Sequence, residues 1–443
     1  MIDVKVIRSD PETAFKSLAR RGVSREEFDQ IVTADSQWRE AVSSQEIAKS
    51  KVKALSKEYG EANKSGQRDL AQELAAKSRL AGEEEKKAAD RVAQLVELRQ
   101  DLLLRLPNFP DHESPDGSGE ADNQVIRYWA PYDLGENPKL QIENHFESYQ
   151  QVPHWEIGEE LGILDLARAS KLSGAMFPMF RGAGARLVHA LVQWALSNHT
   201  NVEGTFGTFE EIRPPTLVRT QTMVSTGALP KFSDDAYHVE RDDLWAIPTA
   251  EVPLTSLYRD EILLGESLPM LFTAYTPCYR REAGSAGKDT RGLLRLHEFD
   301  KVEILALSRE DQARSVHDEL MARAQGLIEM LGLSYRVVDL CAGDLGISSA
   351  RTFDIEVYSP GCKQWLEVSS VSWFSDYQAR RANIRYRAGD ELKFVNTLNG
   401  SAVAVPRVWA ALVETYRTHD GSVSIPECLV AFFGGLREIT RKA

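Results

Sequence analysis

FTAYTPCYRREAGSAGKDTRGLLRLHEFDKVE, residues 272–303, is the stretch on which the reading of this chain turns. Two apolar-rich runs flank a polar middle that carries three glycines. Tyr275–Arg281 and Leu293–Ile304 alternate as strands do, and Ala283–Gly292 between them is too long for a two-residue turn. The spacing predicts a β-hairpin with a long loop, a kind of loop that in compact domains is functional or disordered. Period-two geometry sets Arg280 and Glu282 on one face of the first strand, and Phe299 and Glu303 on one face of the second, with Lys301 between them. Arginine, carboxylates and an aromatic ring on one face are expensive to bury without a ligand. The alternative is a solvated hairpin with ordinary cross-strand ion pairs. Gly284–Lys288, GSAGK, is not a phosphate-binding loop. That pattern needs four residues between its glycines and Ser or Thr after the lysine; here two intervene and Asp289 follows.

At 443 residues the chain is long enough for one large or two medium domains with ample core. Its 42% apolar and 27% charged content is that of a globular protein in water. A net charge of −13 argues against general adhesion to nucleic acid, so any RNA contact must be a local basic patch. Cys278, Cys341, Cys362 and Cys428 are scattered with no C-x-x-C pair, so neither a disulfide framework nor a structural zinc site is expected. The start, MIDVKVIRSD, has charges and no apolar h-region, and no run is long enough to span a bilayer. A cytoplasmic protein with no membrane partner is expected.

Residues 1 to about 25 read as a short strand and helix. From Glu26 to about Tyr59, Ala34, Ala41, Ala48 and Leu55 recur every seven residues, with Ile31, Trp38 and Val52 on the offset heptad position. Asn63–Gly66 supplies a turn, after which Leu74, Ala81, Ala88, Leu95 and Leu102 step by seven again. This predicts a two-helix antiparallel coiled coil closed before Pro107, with an alanine-rich seam and a weakly held tip. Ser44–Arg105 holds thirteen Lys or Arg against eleven Asp or Glu, a balance any solvated helix face shows.

Three domains are expected: a helical arm over 1–108, a linker over 109–132 and a globular domain over 133–443. Irregular alternation of strands and helices in the last favours α+β over a doubly wound parallel sheet. Gly182 and Gly184 open a helix running to about His199, as an anion site or a tight turn. In IPTAEVPL, residues 247–254, Thr249 and Glu251 sit between two prolines, which predicts a loop or sheet edge. A carboxylate beside a hydroxyl there suits an ammonium group or a helix N-cap. LEVSSVS (366–372) and NTLNGSAVAVPR (396–407) close the pattern, the second running into a helix through Tyr416 with Pro406 at its start.

The hairpin resembles motif 2 of class II aminoacyl-tRNA synthetases, and specifically that of the bacterial seryl-tRNA synthetase family: an aromatic-Arg-x-Glu strand, a G-S-A-G-x-D-T-R-G loop and an H-x-F-x-K-V-E return strand. Leu106–Gly117 fits that family's L-P-N-x-P-x-x-x-x-P-x-G junction, Glu210–Pro214 the end of motif 1, and Asn396–Arg407 motif 3. The resemblance implies a class II antiparallel sheet, a homodimer, and an N-terminal arm that reaches tRNA-Ser. It implies serine activation by ATP with Mg2+, transfer of the seryl group to tRNA-Ser, and serylation of tRNA-Sec.

Carried over position by position, Arg280 and Arg407 are catalytic. Arg280, Arg281, Glu282, Phe299, Glu367, Val368, Ser369, Ser370 and Arg407 bind ATP. Thr249, Ala250, Glu251, Arg280, Glu303, Asn399 and Ser401 bind serine, and Glu367 and Ser370 hold Mg2+. Arg281, Glu298 and Val371 depart from the family's usual Ser, Gln and Cys. They open the alternative of a divergent copy serving antibiotic resistance or biosynthesis. Two further alternatives are a ligase that loads an amino acid onto a carrier protein, a kind that tends to lack the arm, and a non-enzymatic scaffold, which would be expected to lose the motif arginines.

Overall fold

The computed structural model describes residues 1–284 and 289–441; Ser285–Lys288, in the loop of the predicted hairpin, lie outside the described residues. Two compact units emerge, Ile2–Leu106 and Pro107–Ala443.

The first unit opens with two short helices, Val4–Ser9 and Pro11–Ala19, where a strand and a helix were expected. Asp3 and Asp10 cap them, accepting from Lys5 N and Thr13 N, and a side-chain cap on each start favours helix over strand. The coiled coil follows as Arg25–Lys64 and Arg68–Arg105. Its first helix starts on a capping box: Ser24 Oγ accepts from Glu27 N, and the Glu27 carboxylate accepts from Ser24 N. Its turn contains Gly66 at φ +75°, which favours glycine. Ile31, Ala34, Ala81 and Leu95 are buried as the seven-residue step requires. The tip is better closed than its composition suggests, because Leu55, Ala62, Ala71 and Leu74 cluster there. The thin layers are in the middle, where Ala41 and Ala48 are only half-buried. Asp35 is a buried carboxylate in the seam, bound to Arg8 at 2.6 Å and Arg99 at 2.8 Å. Burial would raise it, but the Arg8 hydrogen bond and the charges of Arg8, Arg99 and Arg39 hold it below the usual carboxylate range.

The second unit is built on a sheet that, among the described residues, has eight strands: β1 Gln124–Trp129, β2 Glu210–Glu211, β3 Met270–Tyr279, β4 Glu298–Ser308, β5 Tyr335–Asp339, β6 Arg351–Ser359, β7 Gln364–Trp373 and β8 Asn396–Ala404. Their order is β1-β5-β6-β7-β8-β4-β3-β2, antiparallel except for β2 beside β3. The expected α+β class is thus met by an antiparallel sheet. The expected 109–132 linker instead belongs to this unit. Asn108 and Asp111 donate backbone N–H groups to Ile347 and Ala350, and β1 pairs along β5. Polar, proline-rich composition did not mean a free segment, because neighbouring backbone satisfies its hydrogen-bonding groups.

Helices Ala183–Asn201, Ala313–Met330 and Val405–Thr415 contribute apolar residues to one large core with the sheet. Trp409 is fully buried there and donates Nε1–H to Gly184 O at 3.2 Å. A Cβ on Gly184 would lie 2.2 Å from Ile163 O, so that glycine serves close packing rather than an anion.

Candidate active site

β3, β4, β7 and β8 present the site. On β4, Phe299, Lys301 and Glu303 share a face, and pairing with β3 sets Cys278 opposite Phe299 and Ala274 opposite Glu303. Arg280, just past the end of β3, donates its backbone N–H to His297 O at 2.9 Å and so falls on the same face. The return strand begins at Glu298 and not at Leu293, because Arg291–Leu294 forms a turn through Gly292 at φ +59°.

Two β-bulges aim the remaining groups. β7 pairs Ser369 with Ile355 but Glu367 with Glu356, leaving Val368 as the extra residue. A regular strand would turn Glu367 and Ser370 to opposite faces; the bulge puts both on one. β8 has the same irregularity between Ser401 and Val403; the regular register up to it sets Ser401 directly opposite Glu303, and the bulge re-aims the chain beyond, toward Arg407.

Glu251 and Glu303 form the acidic floor. Asn399 Nδ2 donates to both, at 3.0 Å each. Thr249 Oγ donates to Glu303 at 2.7 Å, Lys301 bonds both Glu303 and Thr249 Oγ, and Gln378 Nε2 donates to Glu251 at 2.6 Å. Burial, then the like charge of Glu303, pushes Glu251 up to about 7. The expected loop at Thr249 does run into a helix, the single turn Glu251–Thr255, with Pro253 inside it. The prolines admit this because a turn this short needs almost no intrahelical N–H.

Arg280 faces these acids from across the site. Its guanidinium lies 5.1 Å from the Phe299 ring centre and, among the described residues, makes no side-chain hydrogen bond or ion pair. Glu282 adopts φ +50° beyond the strand and pairs with Arg295 at 2.8 Å, so a turn rather than strand alternation sets its position. Arg407, in the first turn of Val405–Thr415, donates Nη1–H to Glu367 O at 2.6 Å and Nε–H to Leu294 O at 3.3 Å.

These groups border a cavity of about 560 Å³ lined by Thr249, Glu251, Arg280, Glu282, Glu367, Ser370, Asn399 and Ser401. An adjoining recess is lined by Phe299, Leu294, Pro406 and Arg407, and shares Arg280, Glu282 and Glu367 with the cavity. Glu303 is fully buried behind Thr249 and Asn399.

With Glu303, five of the expected residues do not bring a side chain to this space. Ala250, Val368 and Ser369 are buried, leaving only their main chain to meet a ligand. Arg281 donates to Asp234 O at 3.0 Å on the protein's exterior. Of the other two departures from the family pattern, Glu298 is exposed and Val371 is fully buried in the core. None of the three lines the cavity.

Glu367 and Ser370 offer hard oxygen ligands on one face, as a magnesium ion requires. Asp354, opposite Ser370 and hydrogen-bonded to it, keeps a buried Oδ1 with no partner, so the donor set suits a cation. Sequence reasoning missed Gln378 and Arg295 and gave Lys301 no role. A glutamine in the short helix Tyr377–Ala382 carries no local signal. Arg295 lies in a turn that was read as strand.

An antiparallel sheet with arginines and carboxylates converging on one cavity is the architecture of class II aminoacyl-tRNA synthetases. Residues 235–416 match the tRNA synthetase class II core domain (G, H, P, S and T), and residues 1–110 match the seryl-tRNA synthetase N-terminal domain. The chain is 43% identical to the serine–tRNA ligase of Pelotomaculum thermopropionicum, over 99% of this chain and all of that one. It is 44% identical to that of Desulforudis audaxviator over the full length of both. The seryl-tRNA synthetase of Pyrococcus horikoshii, solved with ATP, superposes with a TM-score of 0.90 at 34% identity over all of both chains. The chain belongs to the seryl-tRNA synthetase family.

Proposed function

We propose that the protein activates L-serine with ATP, giving seryl-adenylate and pyrophosphate, and then passes the seryl group to the 3′ end of tRNA-Ser. The observation that carries this reading is an arginine without an anionic partner, Arg280, sharing one cavity with Glu251, whose acid partner Glu303 is buried directly behind the wall formed by Thr249 and Asn399. Such a cavity suits a zwitterion beside a phosphate. The serine carboxylate is ionised at neutral pH, so the first step needs no general base. Catalysis then consists of aligning that carboxylate with the α-phosphorus and neutralising charge.

Arg280 has the planar fork to hold the carboxylate and the α-phosphate at a fixed separation. Glu251, with Thr249, takes the ammonium; Glu303, Ser401 and Asn399 take the hydroxyl. Phe299 stacks on adenine once Arg280 has moved off its face, Glu282 reads the adenine edge, and Arg407 holds the terminal phosphate. Mg2+, bound through Glu367 and Ser370, would supply further neutralisation of the triphosphate. The coiled coil of the first unit engages the tRNA, the active form is a homodimer, and the cytoplasm, where ATP and tRNA meet, is the place of action; no described helix is long and apolar enough to cross a membrane.

The test is ATP–pyrophosphate exchange run across all twenty amino acids, followed by charging of tRNA-Ser, of tRNA-Sec and of a carrier protein. Exchange with serine and charging of tRNA-Ser is expected. Exchange with a different amino acid, or acylation of the carrier alone, overturns the proposal. Light scattering of the purified protein tests the dimer.

A pH dependence follows from the acid pair. Because Glu251 is raised to about 7 from 4.5, the folded chain binds the extra proton between those values, and the stability this contributes is lost as pH rises through about 7. A bound ammonium favours the ionised form. Affinity for serine is therefore expected to rise by about tenfold from pH 6 to pH 8, following the ionised fraction of a group titrating near 7. Isothermal titration with serine at a series of pH values checks this; an affinity flat across that range contradicts it.

A further inference from the structure

His154, Cys362 and Glu414 bring three metal-type donor atoms within 4.8 Å of one another, outside the cavity described above. Their hydrogen bonds argue against a metal. His154 Nε2 accepts the Leu293 backbone N–H at 2.9 Å, so the ring proton sits on Nδ1, which donates to Glu414 Oε1 at 2.8 Å. The Glu414 carboxylate also accepts from the N–H groups of His154 and Gly361 and from Ser359 Oγ. Burial, then the Glu414 charge, pushes the Cys362 thiol up to about 12, so it offers no thiolate. His154 and Glu414 are both fully buried.

What the pair holds is the turn that leads into β4. Gly292 packs so close to it that a Cβ would meet His154 Nε2 at 2.3 Å and the Trp155 ring at 2.5 Å. Arg291 lies over the Trp155 ring at 5.2 Å while paired to Asp289 at 2.7 Å. One residue beyond Leu293, the carbonyl of Leu294 accepts from Arg407 Nε. Glu414 and Arg407 stand at opposite ends of the same helix, Val405–Thr415. A circuit therefore runs from Glu414 through His154 to the Leu293 N–H, and from the Leu294 carbonyl back to Arg407.

We propose that His154 and Glu414 are positioning residues for the ATP step: the neutral imidazole, clamped by Glu414, fixes the Leu293–Leu294 turn so that its carbonyl orients the Arg407 guanidinium. The inference rests on the reading of Arg407 as a nucleotide-binding group. It also accounts for a fully buried acid and imidazole that contact no part of the cavity. An acceptor removed at Nε2 leaves the buried Leu293 N–H unpaired, a loss that a rigid turn transmits to its carbonyl.

Asparagine and glutamine separate the two ring nitrogens. An asparagine amide reaches the Nδ1 position and keeps the bond to Glu414; a glutamine amide reaches the Nε2 position and restores an acceptor for Leu293. In ATP–pyrophosphate exchange, His154→Asn is expected to lower kcat/KM for ATP by about tenfold, the size of one lost buried hydrogen bond, with KM for serine within twofold. His154→Gln is expected to recover most of that loss. In an Arg407→Ala background, His154→Asn should add nothing further, as coupled residues do.

Equal behaviour of the two variants, equal effects on ATP and serine, or additivity with Arg407→Ala would each overturn the proposal. If His154→Asn yields no soluble protein, Gly292→Ala presses on the same contact from the loop side; an unchanged KM for ATP in that variant also overturns it. Wild-type protein inactive in exchange with serine would instead defeat the proposed function, so the two failures are distinguishable.

Discussion

In Arg407→Ala, serine-dependent ATP–pyrophosphate exchange is expected to fall by about 10³-fold, the scale on which a positioned cation stabilises phosphate charge in a transition state. The expectation rests on where the side chain is held. Two of its nitrogens are committed, to the carbonyls of Glu367 and Leu294. They aim the guanidinium at the recess that adjoins the cavity, and Nη2 has no protein hydrogen bond among the described residues. Pro406 starts the helix at no cost in hydrogen bonds and fixes the backbone from which Arg407 projects. Alanine at a half-exposed first-turn position leaves the helix intact, so circular dichroism and the thermal midpoint should match wild type. Exchange within threefold of wild type would falsify the assignment of the terminal phosphate to this residue. Arg407→Lys tests the geometry, since a point charge without the fork should recover only part of the rate.

Glu251→Gln has the next largest expected effect, and it is confined to the amino acid. The buried carboxylate is the natural acceptor for an ammonium. Its neutralisation should raise KM for serine by about 10²- to 10³-fold, the cost of a charge-assisted bond in a desolvated site. ATP binding, followed by the thermal shift that ATP alone produces, should stay unchanged. In the absence of serine the variant should not be less stable at pH 8. Ionising Glu251 against burial and Glu303 costs about 3 kcal/mol there; the amide escapes that cost and keeps an acceptor for Gln378, and Asn399 Nδ2, which loses its bond to residue 251, keeps the one to Glu303. A lower midpoint together with intact serine affinity would assign Glu251 a purely structural role.

Much of this architecture was legible in the residues because it depends on local periodicity. The arm's seven-residue step and the alternation of Phe299, Lys301 and Glu303 are carried by neighbours in sequence, and both fold as written. What failed was set by tertiary partners. Val4–Ser9 is helical because of a cap that a strand-like run of valine, lysine and isoleucine concealed. Residues 124–129 are an edge strand and not a linker because β5 offers them hydrogen bonds. The side chains of Ala250, Val368 and Ser369 turn inward although their neighbours face the cavity, since a contiguous motif says nothing of which members point away. His154 and Glu414 lie 260 residues apart, and nothing local to either marks them as partners.

The two bulges carry a consequence for how this protein can vary. Val368 and Ala402 each occupy a place where one strand has a residue that its neighbour lacks. The letters there can change freely among small apolar kinds, but the chain length cannot. Losing either residue would shift everything after it by one place, turning Ser370 inward in one case and displacing the start of the Arg407 helix against β4 in the other. Drift at these positions must proceed by substitution alone, and a single-codon deletion should be far more damaging than any exchange at the same spot.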